Sequence, residues 1–196
     1  MANQKNTISE KIKKLREEKE LSIAEVAERA GLPEDMLVAF EQHNNSLSLG
    51  SIIRLAKAFN VPVGSLFGEN GESPFSIVRV EDRAMVSRFG SSRDESCGYS
   101  YQSLGQNKRN RHMEPFLVTL NPAEAHEAKA NDHVGEEFLY VLEGQVEVIL
   151  DDYRDVLKPG DSIYYDSDVP HIVRCLGDKP ATILAVIHVQ QEMIIF

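Results

Sequence analysis

The hydrophobic period of this chain changes once, near residues 68–76, and that change divides it into two folding units of different class. Before it, apolar residues recur every three or four positions. Ile8, Ile12 and Leu15 make one stripe and Ile23, Val26, Ala27 and Ala30 a second, while Leu37, Phe40, Ile52, Ile53, Leu55, Ala56 and Phe59 supply the rest. Four or five short helices are expected over residues 1–67. Ser22 with Glu25 three residues on reads as a capping box, Gly31 as the stop of that helix and Pro33 as the opening of the next. Ser48 is the expected cap of a helix that Pro62 ends.

Past GENGESP, the Gly-, Ser- and acid-rich stretch at 68–74, the apolar residues fall into short runs: FSIVRV, MVSRF, FLVTL, EFLYVLEG, QVEVILDD, DSIYY, HIVRCL and TILAVIHV. These are rich in β-branched and aromatic residues and separated by Gly, Pro, Asn or Asp, which predicts an antiparallel barrel or jelly roll over 77–196. The expected fold class is therefore an all-α unit followed by an all-β one.

Charge divides at the same place. Of the 21 basic and 31 acidic residues, nine of each lie in 1–68, so the net charge of −10 resides entirely in 69–196. No apolar run approaches the ~20 residues that span a bilayer. With no apolar leader in MANQKNTISEKIKK, and two distant cysteines, Cys97 and Cys175, that make no disulfide framework, a cytoplasmic location without membrane contact is expected.

The order KIKKLREEKELSIAEVAERAGL, followed by LSLGSIIRLAKAFNVPVGSLF, resembles the xenobiotic-response-element type of helix-turn-helix domain, with a lambda-repressor-like fold. The resemblance implies that the helix at about Pro33 to Gln42 enters the major groove of DNA, with Glu34, Asp35 and Met36 at its start and Gln42 at its end. Lys11, Lys13, Lys14 and Arg16 would lie on the first helix within reach of the phosphate backbone, or be solvated charge. Base readout usually employs Arg, Lys, Asn or Gln, so Glu34 and Asp35 fit the positive end of a helix dipole better than a base edge.

In the second unit, Asn131, His133 and Glu137 are an even number of residues apart, so in extended chain they would project to one side. His171, after the turn SDVP, can complete a set of two imidazoles and one carboxylate. That set suits non-haem Fe(II), with Zn, Ni, Mn or Co as alternatives. HVGEEFLYVLEGQVEVIL and LKPGDSIYYDSDVPHIVRC resemble the two cupin motifs. His133, Glu137, Gly144, Pro159, Gly160, Pro170 and His171 stand at motif positions, Asn131 where a first histidine is expected, and Cys175 where Asn is usual. Arg93, Tyr99, Tyr101 and Asn131 are the candidate ligand-binding residues, although a core role for the tyrosines with their phenol tips at solvent is equally open. Lys108, Arg109 and Arg111 read as a solvated loop or an anion site, and His43, His112, His126 and His188 as structural.

Two functions follow from resemblance. Bacterial transcription regulators pair this DNA-binding domain with a cupin sensor for a small molecule, a metal or both. The hydroxypropylphosphonate epoxidases, mononuclear iron oxidoreductases, have the same two domains and ligands that correspond to His133, Glu137 and His171. Their substrate-binding arginine and tyrosine look similar to Arg93 and Tyr101, but at the place of their active-site lysine this chain has Glu20, beside Lys19. The regulator is the expected function, acting on DNA as a homodimer or homotetramer, with no catalytic residue assigned.

Overall fold

The computed structural model describes residues 8–42, 47–67, 73–83, 85–89, 99–122 and 130–189, the strand 85–89 by its backbone alone. Among them five α-helices come first: α1 (Ile8–Glu18), α2 (Ile23–Ala30), α3 (Glu34–Glu41), α4 (Leu49–Ala58) and α5 (Val63–Phe67). The stripes read from sequence form their common core, in which Ile12, Val26, Leu37, Ile52 and Leu55 are fully enclosed. The α2–α3 turn is built as its residues dictate. Ser22 Oγ accepts from Glu25 N while the Glu25 carboxylate accepts from Ser22 N, and Gly31 closes the helix at φ +62°. Ser48 caps α4 by accepting from Ser51 N.

Arg16 on α1 reaches Glu41 on α3 with a two-pronged ion pair, both N–O distances 2.7 Å, and also donates to Leu21 O. Glu41 is buried, and the pair locks the first helix to the third.

Among the described residues nine antiparallel strands follow: β1 (Met85–Phe89), β2 (Tyr99–Ser103), β3 (Met113–Leu120), β4 (Glu136–Glu143), β5 (Val146–Leu150), β6 (Tyr153–Leu157), β7 (Ser162–Asp166), β8 (His171–Cys175) and β9 (Ala181–His188). They form a six-stranded sheet, β1-β2-β3-β9-β4-β7, and a three-stranded sheet, β6-β5-β8. Alternate residues of β3 and β9 are buried, as strands with one face on a core require. The FSIVRV run is a correction: residues 75–79 are not a strand, and Phe75 and Ile77 stand exposed. Among the described residues the nearest bridge, Ser73 with Lys108, lies just before the run, and β propensity without a paired neighbour makes no strand.

The helical unit sits directly on the barrel. Phe67 of α5 meets Phe116 of β3 edge-on with ring centroids 5.2 Å apart, and Arg111 donates to Gly64 O at 2.6 Å. At a second point Gly50, in the first turn of α4, lies against Asn131, Asp132 and His133.

Candidate metal centre

Three segments bring the triad together. His133 lies in the connection before β4, Glu137 is the second residue of β4, and His171 opens β8 on the other sheet. Backbone bonds hold the connection in place. Asn131 and His171 exchange N–H to O bonds of 2.9 Å, His133 N donates to Ser167 O, and Ser167 N donates to Gly135 O. The chain bends at Gly135, where φ is +120° and a Cβ would lie 2.1 Å from His188 O, so only glycine fits. His133 and Glu137 are therefore not aligned by the alternation of an extended strand: the bend at Gly135 between them brings them face to face.

The donor atoms of His133, Glu137 and His171 all lie within 4.8 Å of one another, and all three residues are buried. His133 Nε2 is 2.8 Å from Glu137 Oε1, and His171 Nε2 is 3.9 Å from the same oxygen. His171 Nδ1 is 2.9 Å from Val169 O. A carbonyl only accepts, so a proton sits on Nδ1, and Nε2, the nitrogen turned toward Glu137, is the one available to a metal. Burial, the largest influence on Glu137, raises its carboxyl pKa. The His133 bond and charge, the Tyr165 hydroxyl and the charge of His171 outweigh it and hold the group below the usual carboxylate range.

The chemistry of this donor set becomes plain beside the other buried carboxylates. Glu41 is paired with Arg16, Glu114 with Arg111, and Glu147 with Arg154 and Arg174. A guanidinium has no lone pair and stays charged, so those three sites are ion pairs that offer a metal no second donor, although at Glu114 only Oε1 is bonded and Oε2 is left without a partner. Among the buried carboxylates of the described residues Glu137 differs, because it faces two imidazoles that can both donate lone pairs. The set fits a divalent first-row metal ion.

Tyr99 and Tyr101 come together on β2, ring centroids 6.3 Å apart. The Tyr99 hydroxyl donates to Val173 O at 2.7 Å and so ties the two sheets together. Tyr101 stacks edge-on to Phe116, and loss of solvent, aided by the nearby charges of Tyr99 and Glu137, pushes its phenol pKa well up. Asn131 is placed beside the triad by its backbone pairing with His171. Arg93, His43, His126 and Cys97 lie outside the described residues, whereas His112 is exposed and His188 half-buried. The Lys108–Arg109–Arg111 loop divides: Lys108 and Arg109 are exposed, but Arg111 is enclosed, bonded to Glu114, Gly105 O and Gly64 O, which corrects its reading as solvated.

On the helical unit, Glu34, Asp35 and Gln42 of the α3 region and Lys13 and Lys14 of α1 are exposed, while Met36 is half-buried against the core. Lys14 is 3.6 Å from Glu18. Arg16 is engaged with Glu41 and Leu21 O, which removes it from the surface cluster. Lys19 and Glu20 are exposed just after α1. Sequence reasoning missed Tyr165, whose hydroxyl donates to Glu137 Oε2 at 2.5 Å, and Gly50. Both act through neighbours remote in sequence.

These features define a class, a helix-turn-helix domain joined to a cupin domain in which three buried side chains could hold a metal ion. Residues 12–66 match the helix-turn-helix family and residues 116–187 the cupin domain family. The chain is 22% identical to the HTH-type transcriptional regulator SutR of Escherichia coli (strain K12), over 96% of this chain and 98% of that protein. It is 27% identical to the (S)-2-hydroxypropylphosphonic acid epoxidase of Streptomyces wedmorensis, over 91% and 93% of the two chains. Among solved structures, an HTH_3 family transcriptional regulator from Vibrio cholerae superposes with a TM-score of 0.66 at 21% identity, covering 94% of this chain and 96% of that one. The Fe(II) form of the epoxidase HppE does so with a TM-score of 0.51 at 26% identity, covering 92% and 97%. Among the described residues, no helix is long and apolar enough to cross a membrane.

Proposed function

We propose that this protein is a DNA-binding transcriptional regulator whose cupin barrel senses a small molecule held with a divalent metal, Fe(II) by preference and Zn, Ni, Mn or Co as alternatives. The observation that carries this reading is the contact between α4 and the triad: a Cβ at Gly50 would stand 3.4 Å from the His133 ring. A change in the position of His133 on ligand binding therefore meets the helix-turn-helix unit directly, which is the physical link that coupling between two sites requires.

His133, Glu137 and His171 would hold the ion, which supplies a Lewis-acidic centre for an oxygen of the ligand. Tyr101 and Asn131, beside them, would shape the pocket, together with Arg93. Lys13 and Lys14 would contact phosphates and the exposed α3 end at Glu34, Asp35, Met36 and Gln42 the groove, with a homodimer or homotetramer presenting two such units to a symmetric site. The relatives named as regulators, one of them matching over nearly the full length of both chains, support this reading.

A second reading is an iron-dependent oxidoreductase, favoured by the full-length likeness to the epoxidase and by the acidic start of α3, which phosphate repels. Retention of sheared genomic DNA from the source organism on the protein, at near-physiological salt and with or without Fe(II), separates the two. Enrichment of a few sites with twofold symmetry supports the regulator, and loss of that enrichment in a Lys13→Glu, Lys14→Glu variant locates the phosphate contacts. No enrichment under either condition contradicts it and favours oxidative chemistry on a small anion.

A further inference from the structure

Glu137 has two carboxylate oxygens, and they face different partners. Oε1 points at the imidazoles, 2.8 Å from His133 Nε2 and 3.9 Å from His171 Nε2. Oε2 accepts a 2.5 Å hydrogen bond from the hydroxyl of Tyr165. Tyr165 stands directly across the ladder from Glu137, in the β4–β7 pairing, and is buried. Its ring also flanks His171, with centroids 5.2 Å apart. One side chain therefore touches two of the three metal-ligand residues without being a ligand itself.

A short hydrogen bond from a phenol takes one of the two lone-pair sites of Oε2, draws charge from that oxygen and fixes the carboxylate's rotation about the Cγ–Cδ bond. Oε1, already turned to the imidazoles, is then the favoured metal donor. We propose that Tyr165 is a positioning residue that holds Glu137 as a one-oxygen ligand and thereby keeps a coordination position open for the small molecule the barrel takes. This rests on the reading of the triad as a metal site. Three single donors from His133, Glu137 and His171 leave room for exogenous ligands, whereas a carboxylate free to bind through both oxygens fills one of those places. Outer hydrogen bonds of this kind change metal affinity by roughly 10–100-fold when removed.

The test uses the full-length protein, anaerobically loaded with Co(II), whose visible spectrum reports coordination number, and azide as the exogenous ligand. Tyr165→Phe keeps the ring and removes only the hydroxyl. The expected result is weaker visible absorption, as the coordination number rises, a Co(II) affinity altered by about tenfold, and azide binding weakened by at least about threefold. The metal-free variant should melt cooperatively at a somewhat lower temperature, since a buried bond to a charged group is lost, and reconstitution with Co(II) then reads the coordination of a folded protein. A variant with the parent's spectrum and the parent's azide affinity overturns the proposal. A parent protein that takes up no Co(II) overturns the metal reading itself, a result distinct from the first.

Discussion

Glu137 and Glu147 lie ten residues apart in one barrel, both buried, and they do opposite things. Glu147, on β5, is fully enclosed beneath Arg154 of β6 and Arg174 of β8. Its partners carry permanent charge and no lone pairs, so the cluster is complete as it stands. Glu137 has two histidines and a phenol, and the histidines can offer lone pairs to a metal. The difference shows how one fold keeps a structural carboxylate apart from a reactive one: the choice between guanidinium and imidazole decides which it is.

The two carboxylates should differ most visibly in metal binding. Alanine at His133 or His171 should reduce bound divalent metal from about one ion per chain to nearly none, measured by elemental analysis after loading and desalting, whereas Arg174→Ala should leave it unchanged. Equal metal content in all three variants would erase the distinction. Next in size is the closed ion pair of the helical unit. Arg16→Ala strands Glu41 at a buried position and should cost about 3 kcal/mol, read by urea denaturation followed through helical circular dichroism. Metal content of that variant should not change.

A smaller effect, and one specific to the arginine-matched site, is its pH dependence. Burial pushes the Glu147 carboxyl up, but its bonds to Arg174 and Arg154 and their charges prevail and set it below its ordinary value. A carboxyl with a depressed folded-state pKa contributes stability above its unfolded pKa of about 4.3, and that contribution disappears as pH falls through the folded value. The stability gap between the parent and Glu147→Gln should therefore narrow in acid, and a gap independent of pH would refute the ion-pair account. The smallest effect is at the domain contact. Gly50→Ala places its methyl at ordinary contact distance, 3.4 Å from the His133 ring, and should be tolerated, with up to ~1 kcal/mol gained from helix propensity. Gly50→Leu should not fit, and should change metal affinity several-fold in a competition titration while Ala does not.

What sequence made legible follows from how local each feature is. The capping box at Ser22 and Glu25 and the left-handed stop at Gly31 involve residues within a turn of each other, and they form as read. His133, Glu137 and His171 were legible because they stand at motif positions, although the bend at Gly135, rather than strand alternation, aligns the first two. Tyr165 was not legible, because its meaning depends on the β4–β7 register, and SIYYD offers two adjacent tyrosines with nothing local to say which faces inward. Arg111 was misread for the same reason: in NKRNR it looks like its solvated neighbours, and only the docking of Gly64 encloses it. The FSIVRV run has strand composition and lacks the partner that would make it one.

Anomalous diffraction at the metal absorption edge, from crystals grown with Fe(II) or Co(II), tests the central claim most directly. The account predicts one peak at roughly 2.0–2.2 Å from His133 Nε2, His171 Nε2 and Glu137 Oε1, with Glu147 and its arginines free of any peak. A peak elsewhere, or none between the two histidines, would contradict it.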